Sequence, residues 1–108
     1  MNVIPGNTEL IELKHIESRF KTTCRIYGKV ENTNPSGSIK DRAVYQMLLG
    51  YQQEGKLVKG GIVIEATSGN TGISLAFFQK VFDYKAVILM PKSMSKERRE
   101  KIASYGAQ

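Results

Sequence analysis

The sequence predicts an α/β fold in which strands alternate with helices around a parallel sheet. Two short apolar runs, Ile62-Val63-Ile64 and Ala86-Val87-Ile88-Leu89, read as strands covered on both faces. Segments with helical apolar spacing precede and separate them, and a charged helical segment follows. The 108 residues suffice for one domain with a real core and show no repeat or interdomain linker.

Taken in order, residues 8–13 alternate weakly and predict a short strand, and residues 25–31 predict a second. Residues 32–37, rich in Asn, Pro, Ser and Gly, form a loop. Ser38 then serves as a helix N-cap, with Asp41 three residues on as its capping-box partner. Ile39, Ala43, Val44, Met47, Leu48 and Tyr51 give that helix one apolar face, and Gly55 and Gly60-Gly61 end it. Residues 61–66 are a strand and 67–72 a turn of small residues. Residues 73–82, apolar nearly all round, predict a buried helix. Residues 86–90 are a strand stopped by Pro91, and residues 95–105 a charged helix closed by Gly106. The alternation calls for another strand after Gln108.

Sixteen Lys and Arg against ten Asp and Glu give a net charge of +6. Most of these cations are scattered, without the aromatic interleaving of a nucleic-acid surface. The denser run Lys92, Lys96, Arg98, Arg99 and Lys101 is interleaved with Glu97 and Glu100 and predicts a solvated, salt-bridged helix face. The single cysteine excludes an internal disulfide and suits a reducing cytoplasm. Cys24 lies in an alternating segment and is expected to be a buried, inert thiol. His15 has no visible pairing with it and is expected to be structural or exposed. The first residues lack a basic segment leading into an apolar run, so no secretory leader is expected, and no apolar stretch is long enough to span a bilayer.

Two motifs carry chemistry. The first is Asn34-Pro35-Ser36-Gly37-Ser38-Ile39-Lys40-Asp41-Arg42, which puts Lys40 on a helix's first turn after a flexible loop. A helix N-terminus favours anions, and a lysine amine attacks a carbonyl only when neutral. Locally, this also describes an ordinary surface lysine beside a cap. The second is Glu65-Ala66-Thr67-Ser68-Gly69-Asn70-Thr71-Gly72, where a strand hands over to a helix. Backbone N–H groups, three hydroxyls and an amide at the carboxyl end of a strand suit a carboxylate or phosphate. Ser68, Asn70 and Thr71 equally suit plain helix capping. The glycine spacing fits neither a dinucleotide fingerprint nor a P-loop.

Together, and in collinear order with Gly6-Asn7-Thr8, Met90-Pro91, Met94-Ser95-Lys96-Glu97-Arg98-Arg99 and Tyr105-Gly106-Ala107, these motifs resemble the cysteine synthase and cystathionine β-synthase family. That family comprises fold type II enzymes that depend on pyridoxal 5′-phosphate. The resemblance covers essentially the whole chain. It implies that Lys40 holds the cofactor covalently and moves the α-proton of the amino-acid substrate. It implies that Asn70 hydrogen-bonds the cofactor 3′-oxygen, and that Thr67, Ser68, Gly69 and Thr71 grip the substrate α-carboxylate. No metal is implied. The implied reaction is α,β-elimination followed by addition of sulfide, with O-acetylserine as amino-acid substrate. The alternatives are release of hydrogen sulfide from cysteine and cystathionine synthesis from serine. The resemblance further implies a cytoplasmic homodimer in the full-length form, without nucleic-acid or membrane partners.

Glu9 and Ala66 stand where the family usually has proline, which points toward a side branch such as one making sulfide from cysteine. The family's glycine- and threonine-rich phosphate loop and its serine facing the pyridine nitrogen have no counterpart in these residues. The resemblance therefore marks the chain as the N-terminal part of the fold. Residues 1–34 are strands that would join a larger domain and otherwise lack partners, and 35–108 are the smaller α/β domain. Alone, these residues are expected to bind the cofactor weakly and to be inactive. A further alternative is a non-catalytic interaction module.

Overall fold

A computed structural model describes residues 3–108. The fold is mixed α/β and contains the parallel pair the sequence predicts. The elements run β1 (Leu10–Glu12), α1 (Lys14–Phe20), β2 (Tyr27–Lys29), α2 (Lys40–Gln53), β3 (Gly61–Ala66), α3 (Asn70–Phe78), β4 (Tyr84–Leu89) and α4 (Lys96–Ser104), with a 3-10 turn at Glu31–Thr33.

β1 and β2 pair with each other antiparallel, Ile11 opposite Gly28. The two predicted N-terminal strands are thus partnered, and each is only three residues long. Helix α1, between them, has no sequence signal beyond Ile16 and Phe20 four apart, and it buries no residue. Its presence shortens the second strand. Cys24 consequently falls in the turn before β2 and is exposed rather than buried. There its N–H donates to Thr22 Oγ1 at 2.9 Å, and Thr22 Oγ1 donates to the Cys24 carbonyl at 2.8 Å. His15 is exposed on α1.

β3 and β4 form the parallel pair, in register from Gly61 with Tyr84 to Ala66 with Leu89. The core packs α2, α3 and one face of this pair around Val44, Leu48, Leu75, Phe78, Phe82 and Ile88. Tyr45 meets Phe78 and Phe82 edge-on at 5.5 and 5.3 Å. The phenol of Tyr84 donates to the Leu75 carbonyl at 2.6 Å, and burial pushes its pKa upward. Coverage of β3 on both faces is not observed. Ile62 and Ile64 are 64% and 63% exposed because the helices lie on one side of the pair. A continuous apolar run marks a strand but does not say which faces are covered.

The predicted apolar face of α2 splits for the same reason. Val44 and Leu48 are buried against α3, while Ile39, Ala43, Met47 and Tyr51 form an exposed row four apart. α3 starts at Asn70, within the predicted turn, and stops at Phe78, short of the predicted end, and every residue from Gly72 to Ala76 is buried. Gln79, also buried, ties this end to its neighbours, donating to the Tyr105 carbonyl and accepting from Ala86 N. α4 closes as predicted, with Gly106 at φ +90°, and begins after Ser95, which is its N-cap and accepts from Arg98 N. After it, Gln108 lies along β4, donating to the Ala86 carbonyl and accepting from Ile88 N.

Gly72 lets α3 press against the sheet. A Cβ there would stand 2.9 Å from Thr67 Cγ2 and 3.0 Å from Ile88 Cγ2. Gly72→Ala is therefore expected to cost about 1–2 kcal/mol despite alanine's better helix propensity, read as a lowered urea midpoint. An unchanged midpoint would show that α3 can back away from β4.

Candidate functional site

The two motifs converge because α2 and α3 pack together and α4 lies against α3. Lys40 opens α2 and is exposed. Its backbone N–H donates to Ser38 Oγ at 3.2 Å, but the N-cap of α2 is Ile39 and no side chain caps the helix, so the expected Ser38 cap does not form. Among the described residues nothing accepts from the Lys40 ammonium.

Asp41 does not close the expected capping box with Ser38. It is fully buried and turns inward. Its carboxylate accepts the Ser36 N–H at 2.6 Å and the hydroxyls of Ser36 and Ser74. The loop before Lys40 is thereby tied to the middle of α3. Among the described residues no buried side-chain polar atom lacks a partner.

Arg42 turns the other way. Its Nε and Nη2 form a two-pronged ion pair with Glu31 at 2.8 and 2.9 Å. Thr8 Oγ1 and Asn34 Nδ2 donate to the same carboxylate, and Gly6 N donates to Asn34 Oδ1. Gly6, at φ +106°, holds a conformation that side-chain-bearing residues rarely adopt, and a Cβ there would press to 3.0 Å from Arg42 Nη1. Lys40, Asp41 and Arg42 thus face three ways: toward solvent, into α3, and onto the segments flanking the N-terminal strand pair.

The Arg42 pair, aided by Thr8 and Asn34, holds the Glu31 carboxyl down at about 2. A depressed carboxylate stabilises the fold fully above its ordinary range, about 4.5, and loses that contribution as pH falls through about 2. Acid unfolding is expected to show a component in this window that Glu31→Gln removes, followed by circular dichroism against pH. An unchanged acid transition would contradict this.

The second motif follows β3. Thr67 N continues the ladder to the Leu89 carbonyl at 3.0 Å, and Gly69 N donates to Thr67 Oγ1 at 3.2 Å. Gly69 is the N-cap of α3 in extended conformation, and no side chain caps the helix. The capping that Ser68, Asn70 and Thr71 suit does not occur. The amide of Asn70 and the hydroxyls of Ser68 and Thr71 are uncommitted among the described residues. Asn70 and Ile73 line a cavity of about 210 Å³ with Ser95, Glu97, Arg98 and Lys101.

Two cations of the α4 run bond loop carbonyls instead of carboxylates of their own helix. Lys96 pairs with Glu100 at 3.4 Å as expected, but Arg98 Nη1 donates to the Ser68 carbonyl and Lys101 Nζ to the Ser36 carbonyl. Their only sequence signal is collinearity with a charged helix. Ser74 carried a better one, a hydroxyl inside an otherwise apolar buried helix, which demands a partner.

Over residues 2–108 the chain matches the family described as pyridoxal-phosphate dependent enzyme. The chain belongs to that family. It is 45% identical over 103 residues to the probable cysteine synthase of Bacillus subtilis, covering 95% of this chain and 32% of that protein. The crystal structure of O-ureido-L-serine synthase superposes with a TM-score of 0.89 at 36% identity, covering 98% of this chain and 32% of the other. The hydrogen sulfide-producing enzyme of Fusobacterium nucleatum superposes with a TM-score of 0.73 at 40% identity, covering 78% and 25%. The family fold is thus the fold type II arrangement, and this chain spans about a third of the length of the relatives it matches. Cysteine synthase relatives in the family depend on pyridoxal phosphate. Among the described residues no helix is long and apolar enough to cross a membrane.

Proposed function

We propose that this chain supplies the lysine-bearing and carboxylate-gripping part of a pyridoxal-phosphate-dependent β-replacement site, making cysteine from O-acetylserine and sulfide. The observation that carries the reading is the uncommitted Lys40 amine at the head of α2, on a loop tied through Asp41 to α3, whose own first turn is uncapped. These groups suit the family cofactor: Lys40 for covalent attachment and Asn70 for a hydrogen bond to its 3′-oxygen. Thr67, Ser68, Gly69 and Thr71 offer N–H and hydroxyl donors to the substrate α-carboxylate. When bound, pyridoxal phosphate supplies an electron sink for the substrate carbons. Lys40, freed as a neutral amine, takes the proton from the substrate Cα.

In its full-length form the protein acts as a cytoplasmic homodimer. Residues 35–108 serve as its smaller domain and residues 1–34, which carry β1, α1 and β2, as the part joining the larger one. These residues alone bind the cofactor weakly and turn nothing over.

A second reading, release of hydrogen sulfide from cysteine, is favoured by the likeness to the sulfide-producing enzyme and by Glu9 and Ala66. The full-length protein with pyridoxal phosphate separates the two. Cysteine formed from O-acetylserine and sulfide supports the first, sulfide formed from cysteine alone supports the second, and neither product would contradict both.

A further inference from the structure

Positions 98 and 101 lie one turn apart on one face of α4. Arg98 Nη1 reaches the Ser68 carbonyl at 2.7 Å, and Lys101 Nζ reaches the Ser36 carbonyl at 3.2 Å. One carbonyl belongs to the loop before Asn70 and the other to the loop before Lys40. Both cations border the cavity that Asn70 lines. The platform beneath them is fixed by buried Ile102, by the Ser95 cap and by the Gln79 amide on Tyr105.

The two loops differ in what else holds them. Ser36 is gripped from both sides, its N–H and hydroxyl by Asp41 and its carbonyl by Lys101. Ser68 is exposed, and Arg98 is its one side-chain partner among the described residues. We propose that Arg98 and Lys101 form a two-pronged brace setting the distance between the Lys40 loop and the 67–71 loop. They are positioning residues for the reaction, a role that rests on the function proposed above. They act through main-chain carbonyls, so the requirement is for a long cation at each position.

Amide exchange measured by mass spectrometry tests the brace in the full-length protein, with Arg98→Met and Lys101→Met as disrupting variants. Methionine keeps the helix propensity. Loss of one hydrogen bond should speed exchange about fivefold, over residues 67–72 in Arg98→Met and over 34–39 in Lys101→Met. Exchange in α4 should stay unchanged, and Arg98→Lys and Lys101→Arg should restore the wild-type pattern. As a second readout, borohydride-fixed pyridoxyl label on Lys40 at sub-saturating cofactor should fall about threefold in Lys101→Met, the scale of one hydrogen bond. Unchanged exchange in both loops would overturn the brace, as would loosening spread evenly over the molecule. Absence of label from wild-type Lys40, with the loops still loosened in the variants, would instead sink the cofactor reading and leave the brace standing.

Discussion

Replacing Asp41 with alanine is expected to destabilise the protein by about 3–5 kcal/mol, the largest loss from any single polar side chain in the fold. The carboxylate is fully buried and accepts from one amide and two hydroxyls. Removing it leaves the buried Ser36 N–H without its acceptor, leaves the Ser36 and Ser74 hydroxyls only each other at 3.2 Å, and opens a void between α2 and α3. Asp41→Asn keeps the shape but turns part of the acceptor into a donor facing donors, so it recovers only part of the loss. Ser74→Ala removes one donor and leaves the carboxylate both donors of Ser36, at a cost of about 1 kcal/mol. Urea unfolding measures all three. A cost for Asp41→Ala as small as the roughly 0.5 kcal/mol typical of an exposed site would show that the buried network contributes nothing. The consequence for function follows from position: Asp41 adjoins Lys40, and Ser74 lies one turn beyond Asn70.

What was legible in the sequence was local. The β3 and β4 runs, the existence of α2 and the Gly106 stop each depend on residues within a few positions of one another and are legible, whereas the cap of α2 is not, since Ile39 and not Ser38 is its N-cap. Helix α1 was missed because a short helix that buries nothing leaves no periodic stripe. Cys24 reads as part of a strand because the alternation begins before the pairing does at Tyr27. The exposure of Ile62 and Ile64 was illegible because an apolar run is the same whichever face is covered. In the candidate site, the two loops were recognisable as motifs. The groups holding them together were not, since Ser36 and Ser74 are 38 residues apart and Ser36 and Lys101 are 65 apart. Arg42 shows the limit most clearly. It stands near Lys40 in the motif, yet its partner Glu31 and the close approach of Gly6 appear only once the Gly6–Thr8 segment and the Glu31–Thr33 turn lie against the start of α2.

The second large effect concerns Lys40. Lys40→Ala is expected to abolish covalent retention of pyridoxal phosphate altogether, because no other lysine combines a free amine with a place at the head of α2. Lys101 is the rival to exclude. It borders the cavity lined by Asn70, but its ammonium already donates to the Ser36 carbonyl. A lysine so engaged gives up that bond to react, whereas the Lys40 amine gives up nothing within the described residues.

The direct measurement is to add pyridoxal phosphate to the full-length protein, reduce with borohydride and map the stable pyridoxyl group by peptide mass spectrometry. The label should be stoichiometric on Lys40, lost in Lys40→Ala and retained in Lys101→Met at saturating cofactor. A label on Lys101, or scattered label with none concentrated at Lys40, would contradict the assignment of the site.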